Sequence, residues 1–236
     1  ENAFKSLSKG ETVMPPILRL DIKKYHGESD VKAAYVDGLD SFAIKVASGF
    51  FKNPSLGLPS SNGLMILLDS KTGVLKSVLL DKGYLTDIRT AIAGAIAAKH
   101  LSNVEIDNIG IIGAGIQANL QLKALLLVKN PKKTKIWARD SLKVKKFIEN
   151  YKNIINIEPS SSAEELVTSS NIVVTTTPSS NPLIKNEWLK KGMHITAMGS
   201  DAEHKNELDP KIINECNLYI PDSQSQTSIL GELHHA

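Results

Sequence analysis

Ile109-Gly110-Ile111-Ile112-Gly113-Ala114-Gly115-Ile116-Gln117-Ala118 is the stretch that decides the fold. A short apolar strand runs into a Gly-rich turn, and a helical pattern from Leu120 to Leu127 follows. That order of strand, turn and helix is what a dinucleotide fingerprint requires. Gly113 allows the tight turn. Gly115 lets a pyrophosphate approach the backbone, and Ala118 is small enough for the helix to pack on the strand. The helix N-terminus adds free N–H groups and a partial positive charge. An ordinary strand-to-helix turn could share the G-x-G-x-x-A spacing, so the argument rests on its context.

Outward from this turn, strands and helices alternate. The pattern predicts strands at 109–112, 135–138, 172–176, 194–198 and 218–220. It predicts helices over 117–128, 142–151 and 163–167, the last capped by Ser162. Alternation of this kind implies a doubly wound parallel sheet of Rossmann type from residue 106 to 236. Residues 1–105 read as a separate α+β domain that carries the substrate. Ser41 to Val46 alternates as a strand. Leu64–Leu68 and Val74–Leu80 flank a Ser70-Lys71-Thr72-Gly73 turn as a hairpin. Thr86 is then placed to cap an Ala-rich helix over 87–101.

The 236 residues allow two compact domains, and the net charge of +3 comes from scattered lysines and arginines. That balance argues against a nucleic-acid partner. One cysteine, Cys216, excludes a disulfide within the chain and suits the cytoplasm. No apolar run is long enough for a membrane span, so no membrane partner is expected. His234-His235 has no further ligand at metal spacing, so no metal is expected. The start at Glu1 and the end at Ala236 suggest a piece of a longer chain, with a truncated N-terminus and a missing C-terminal return segment.

Several residues carry chemistry. Arg89 lies in the first turn of the Ala-rich helix as predicted, where it either pairs with Asp87 or grips a carboxylate through its guanidinium fork. Lys45 shares a strand face with Ala43 and Ala47, so it either reaches into a cleft or lies on a solvated edge. Asp201 follows a Rossmann strand in Met198-Gly199-Ser200-Asp201, where it either caps a helix or sits in a loop turn, or else orients a substrate amine or passes a proton beside a bound ligand. Asp140 stands roughly 20 residues beyond the glycines, where an acid accepts from ribose hydroxyls. Arg139 beside it suits a 2′-phosphate, so NAD(H) and NADP(H) are both open.

Together these residues resemble the ornithine cyclodeaminase/μ-crystallin family. The resemblance spans nearly the whole chain. It is carried by Met14-Pro15-Pro16, Gly57-Leu58-Pro59, Lys71-Thr72-Gly73, Leu85-Thr86 with Arg89-Thr90-Ala91, the Gly113 turn, Thr175-Thr176-Thr177-Pro178, and Gly199-Ser200-Asp201 with Lys205 and Glu207-Leu208. Within the family, the 40–45, 57–63 and 199–207 segments are most similar to the ectoine-utilisation and iminosuccinate-reductase branch. The resemblance implies that Lys45, Arg89 and Asp201 are catalytic, with Lys45 and Arg89 also holding substrate. It matches Arg19 to a substrate-binding arginine. It places Ile116 and Gln117 on the pyrophosphate, and Thr177, Met198, Gly199 and Lys205 along the cofactor. Ala138 stands where NAD-specific members often carry an acid. A homodimer formed through the first domain is also implied.

The function implied is NAD(P)H-dependent reduction of an α-imino acid, such as iminosuccinate, to an α-amino acid. The alternative is a cyclodeaminase-type ammonia lyase with tightly bound NAD. A third possibility is a non-catalytic binding protein. It would be favoured by loss of Lys45 or Asp201, and both are present.

Overall fold

The computed structural model describes all 236 residues, which divide into two compact units, Glu1–Ile88 and Arg89–Ala236. The sequence pattern sets the boundary at 105/106, whereas this division falls inside a helix. The reason is packing: Ala91 and Ala95 of that helix are buried against Ala124 of the second unit.

The first unit begins with α1 (Asn2–Ser8) and then builds one six-stranded sheet. Its strands are β1 (Thr12–Val13), β2 (Leu18–Ile22), β3 (Gly27–Val36), β4 (Ser41–Phe50), β5 (Ser61–Asp69) and β6 (Leu75–Leu79). The order is β1-β3-β4-β5-β6, with β2 also pairing β3, and every pairing is antiparallel. The expected hairpin is present as β5 and β6. Asp69 holds its turn by accepting from Lys71 N, Thr72 N and Thr72 Oγ1, and Gly73 takes the required positive φ of 69°.

The sheet has two chemically distinct faces, because side chains alternate along a strand. Ile44, Val46, Leu64 and Ile66 share the apolar face, with Leu18, Leu20 and Val78 brought to it by the register. Arg19, Asp30, Lys32, Lys45 and Met65 share the other.

α2 (Tyr84–Leu101) starts earlier than the sequence suggests. Asp81 accepts from Leu85 N and Gly83 N, and Lys82 and Gly83 both take positive φ to make the turn. Thr86 therefore lies inside the helix rather than at its cap. Further along, Gly94 is required for close packing: a Cβ there would meet Gln121 Oε1 at 2.2 Å.

The second unit carries a five-stranded, all-parallel sheet in the order β11-β10-β7-β8-β9. In chain order the elements are β7 (Asn108–Ile112), α3 (Ile116–Leu125), β8 (Lys133–Trp137), α4 (Ser141–Tyr151), β9 (Ile157–Pro159), α5 (Ala163–Thr168), β10 (Ile172–Thr175), β11 (His194–Ala197), α6 (Pro210–Glu215) and α7 (Gln224–Thr227). Strand alternation splits the core in two. Ile109, Ile111, Ile172 and Val174 pack with Leu122, Leu125, Val144, Phe147 and Tyr151. Ile112 and Val173 pack with Leu166, Val167, Leu208 and Ile212. Helices thus cover both faces, as a doubly wound sheet requires. Each such side chain contributes about 1.5–3 kcal/mol on burial.

Ser162 caps α5 as expected, its hydroxyl accepting from Glu165 N at 3.0 Å. The strand expected at 218–220 does not form. Leu218 and Ile220 are 66% and 56% exposed, and the sheet ends at β11. No helix is long and apolar enough to cross a membrane.

Candidate functional site

The order of the parallel sheet places its topological switch between β7 and β10, the point where doubly wound folds take ligands. The Gly113 turn lies there, at the carboxyl end of β7. Gly113 has φ +114°, and a Cβ on it would meet Thr176 Oγ1 at 2.4 Å, so glycine is needed for both conformation and space. A Cβ on Gly115 would meet nothing within 4 Å, so this backbone faces open space. Gly115 is the N-cap of α3 and makes no side-chain cap of its own. Ala118 is fully buried against the strand core. Open backbone at a helix N-terminus and close helix packing fit a pyrophosphate.

The ends of β10 and β11 supply the neighbouring wall of the same unit. Met198 N donates to Thr175 O at 3.0 Å, holding the β11 end beside β10. The Glu207 carboxylate lies beneath both ends. It accepts from Thr175 Oγ1 at 2.7 Å, Thr177 N at 2.6 Å, Thr177 Oγ1 at 2.8 Å and Gly199 N at 2.8 Å. Burial pushes this carboxyl above the usual range, while the donors pull it back. Gly199 admits no side chain, because a Cβ would meet Thr177 O at 2.2 Å.

Asp201 then projects from a turn with no helix starting at it, so of the two structural alternatives the loop turn is the one present. Its side chain is 69% exposed and pairs with the Lys205 ammonium, which is 10% exposed. Lys205 reaches Asp201 across four residues because the segment turns back, with Lys205 N donating to Ala202 O. The carboxylate thus faces solvent, with its direction set by the Lys205 ammonium.

The first unit presents Lys45 on the charged face of β4. Lys32 on β3 lies directly opposite it in register. Lys32 itself pairs with Asp30 on the same face, at 3.7 Å. Arg19, opposite Asp30, pairs with Asp21, Glu28 and Asp30 rather than standing as a separate cation. Lys32 and Asp30 escaped the sequence reading because their positions depend on the β3 register. A hollow of about 540 Å³ lined by Val46, Ser48, Phe50, Leu64 and Leu80 lies on the opposite face from Lys45.

Two expectations need correction. Arg89 is the sixth residue of α2, not part of its first turn, because Asp81 starts the helix at Tyr84. The Asp140 carboxylate is engaged as the N-cap of α4, accepting from Leu142 N and Lys143 N at 3.0 and 3.2 Å. Arg139 beside it is exposed. Ile116 is exposed at the first position of α3, and Gln117 follows it.

The fold and turn define an α/β protein of the doubly wound class, with a dinucleotide-type turn at the switch point. The chain belongs to the ornithine cyclodeaminase/mu-crystallin family, whose model matches residues 1–236. An uncharacterized cyclodeaminase of Sinorhizobium fredii, y4tK, is 54% identical over 239 residues, covering 100% of this chain and 72% of that protein. The Thermococcus litoralis Δ1-pyrroline-2-carboxylate reductase, solved with NADH and L-proline, is 30% identical with a TM-score of 0.92, over 99% of this chain and 73% of that one. The iminosuccinate reductase of Paracoccus denitrificans, solved with NAD⁺, is 25% identical with a TM-score of 0.88, over 99% and 72% of the two chains.

Proposed function

We propose that the protein is an NAD(P)H-dependent oxidoreductase that reduces an α-imino acid to an α-amino acid. The observation that carries this reading is the pairing, in one unit, of the open Gly115 turn with Asp201 at the end of β11. Structures of the same fold solved with NADH or NAD⁺ support it. Gly113, Gly115, Ile116 and Gln117 would hold the pyrophosphate. Thr177, Met198 and Gly199 would line the nicotinamide side, and Arg139 the adenosine side. When bound, the reduced nicotinamide supplies the hydride.

The chain's own residues do the rest. Arg89 grips a substrate carboxylate through its planar fork. Lys45, with Lys32 beside it, holds carboxylate oxygens. Asp201 orients the imine nitrogen and handles its proton, and Lys205 fixes the direction of Asp201. The cations favour a dicarboxylate such as iminosuccinate. The apolar face of the first unit supports a homodimer, with Leu18, Leu20 and Val78 being 54%, 55% and 50% exposed.

The second reading is a cyclodeaminase, which the 54% identity to y4tK favours. The same residues would serve with NAD⁺ retained. An absorbance assay at the reduced-nicotinamide band, run with oxaloacetate plus ammonia, pyruvate plus ammonia, and ornithine, tests both. Consumption of NAD(P)H with a keto acid and ammonia supports the reductase. Ammonia release from ornithine without net cofactor change overturns it in favour of the lyase.

A further inference from the structure

We propose that Glu207 is the positioning residue of the segment that presents Asp201, and that Glu232 braces it from behind. This rests on the reading of Asp201 and the Gly113 turn given above. Glu207 is fully buried, and both carboxylate oxygens are engaged. Oε1 takes both donors of Thr177, and Oε2 takes Thr175 Oγ1 and Gly199 N. One side chain therefore ties the end of β10 to the end of β11, two residues before Asp201.

A second carboxylate holds the first in place. Glu232, 6% exposed, accepts from Glu207 N at 2.9 Å and Leu208 N at 3.1 Å. The same segment sends His235 Nε2 to Lys205 O at 2.7 Å. Glu232 and His235 thus anchor the backbone of the two residues, Glu207 and Lys205, that act on the Asp201 turn.

A buried carboxylate costs several kcal/mol of desolvation unless its donors are well aligned. A simple structural role would be served as well by apolar packing. What an anionic acceptor adds is direction: it fixes two backbone N–H groups and two hydroxyls at once. The neutral amide of Gln in its place would present an NH₂ group to donors and free one strand end.

The test is Glu207→Gln, followed by site-resolved hydrogen exchange and titration with NADH. Exchange at Thr177 and Gly199 should rise at least tenfold, while amides of β7 and β8 stay at parent values. NADH should still bind within about threefold, because its pyrophosphate contacts lie elsewhere, but protection of 199–201 on binding should be lost. Glu232→Gln should produce the same pattern at lower amplitude, and the double variant should be no worse than Glu207→Gln alone. If Glu207→Gln does not fold, Glu232→Gln and Thr175→Val carry the test. Parent-like exchange at Thr177 and Gly199 would overturn the proposal, as would loosening spread evenly through β7 and β8. Failure of the underlying reading shows differently: neither NADH nor NADPH would then bind the parent protein.

Discussion

The Asp81 carboxylate accepts the backbone N–H of Leu85 at 2.6 Å, and this contact sets where α2 begins. It acts as the helix's N-terminal cap in place of Thr86. Asp81→Ala should cost about 1 kcal/mol, the usual value of a lost cap. The midpoint of denaturant unfolding should fall accordingly, while Thr86→Ala should change it less. Equal losses for the two variants would return the cap to Thr86.

Gly115→Val places a branched side chain on open backbone at the start of α3. The protein should fold normally, because nothing lies within 4 Å of that Cβ. Dinucleotide affinity, measured by fluorescence titration, should fall at least about tenfold, since the branched group stands where phosphates approach. Unchanged affinity in the folded variant would remove the pyrophosphate from this turn.

Asp201→Asn keeps the size of the side chain but removes its charge and its proton-accepting role. Turnover should fall by roughly 10²-fold or more, the scale of a positioned acid or base. NADH binding should persist. If turnover is retained while Lys45→Ala abolishes it, the lysine is the acid–base group and the roles are exchanged.

His194 at the start of β11 is pushed down to about 4, mainly by burial and secondarily by the Lys129 charge. The unfolded chain titrates near 6.5 and so takes up the proton first as pH falls. Stability from neutral His194 is therefore complete above pH 6.5 and is lost progressively toward pH 4. The raised carboxyls of Glu207 and Glu232 act with opposite sign, losing stability as pH rises above the ordinary carboxyl range. The comparison to make is His194→Gln against parent at each pH. The variant should lose less stability between pH 7 and 4.5, by on the order of 2 kcal/mol. Parallel curves would mean that His194 titrates alike in the folded and the unfolded chain.

The second unit was legible because its signals are local. Apolar runs such as Ile172–Thr175, the glycines at 113 and 115, and the Ser162 cap each mark an element within a few residues. The first unit was less legible. Lys32 meets Lys45 only through the β3–β4 register, and Arg19 meets Asp30 only through β2–β3, both of them pairings across the chain. Leu218–Ile220 shows the converse: a β-rich composition with no ladder to join. Glu207 was visible as part of a motif, but its four donors come from residues 8 to 32 positions away in the chain. No spacing rule recovers that.

Net reduction of an imine consumes one reduced nicotinamide per product, so stoichiometry separates it from cyclodeamination. Purified protein is given NADH or NADPH, oxaloacetate and ammonium, and the loss of reduced-nicotinamide absorbance is measured against the amino acid formed. About one cofactor should be oxidised for each aspartate produced, the ratio that hydride transfer to a single C=N bond requires. Amino-acid chemistry with no net loss of reduced cofactor, together with ammonia released from ornithine, would contradict it.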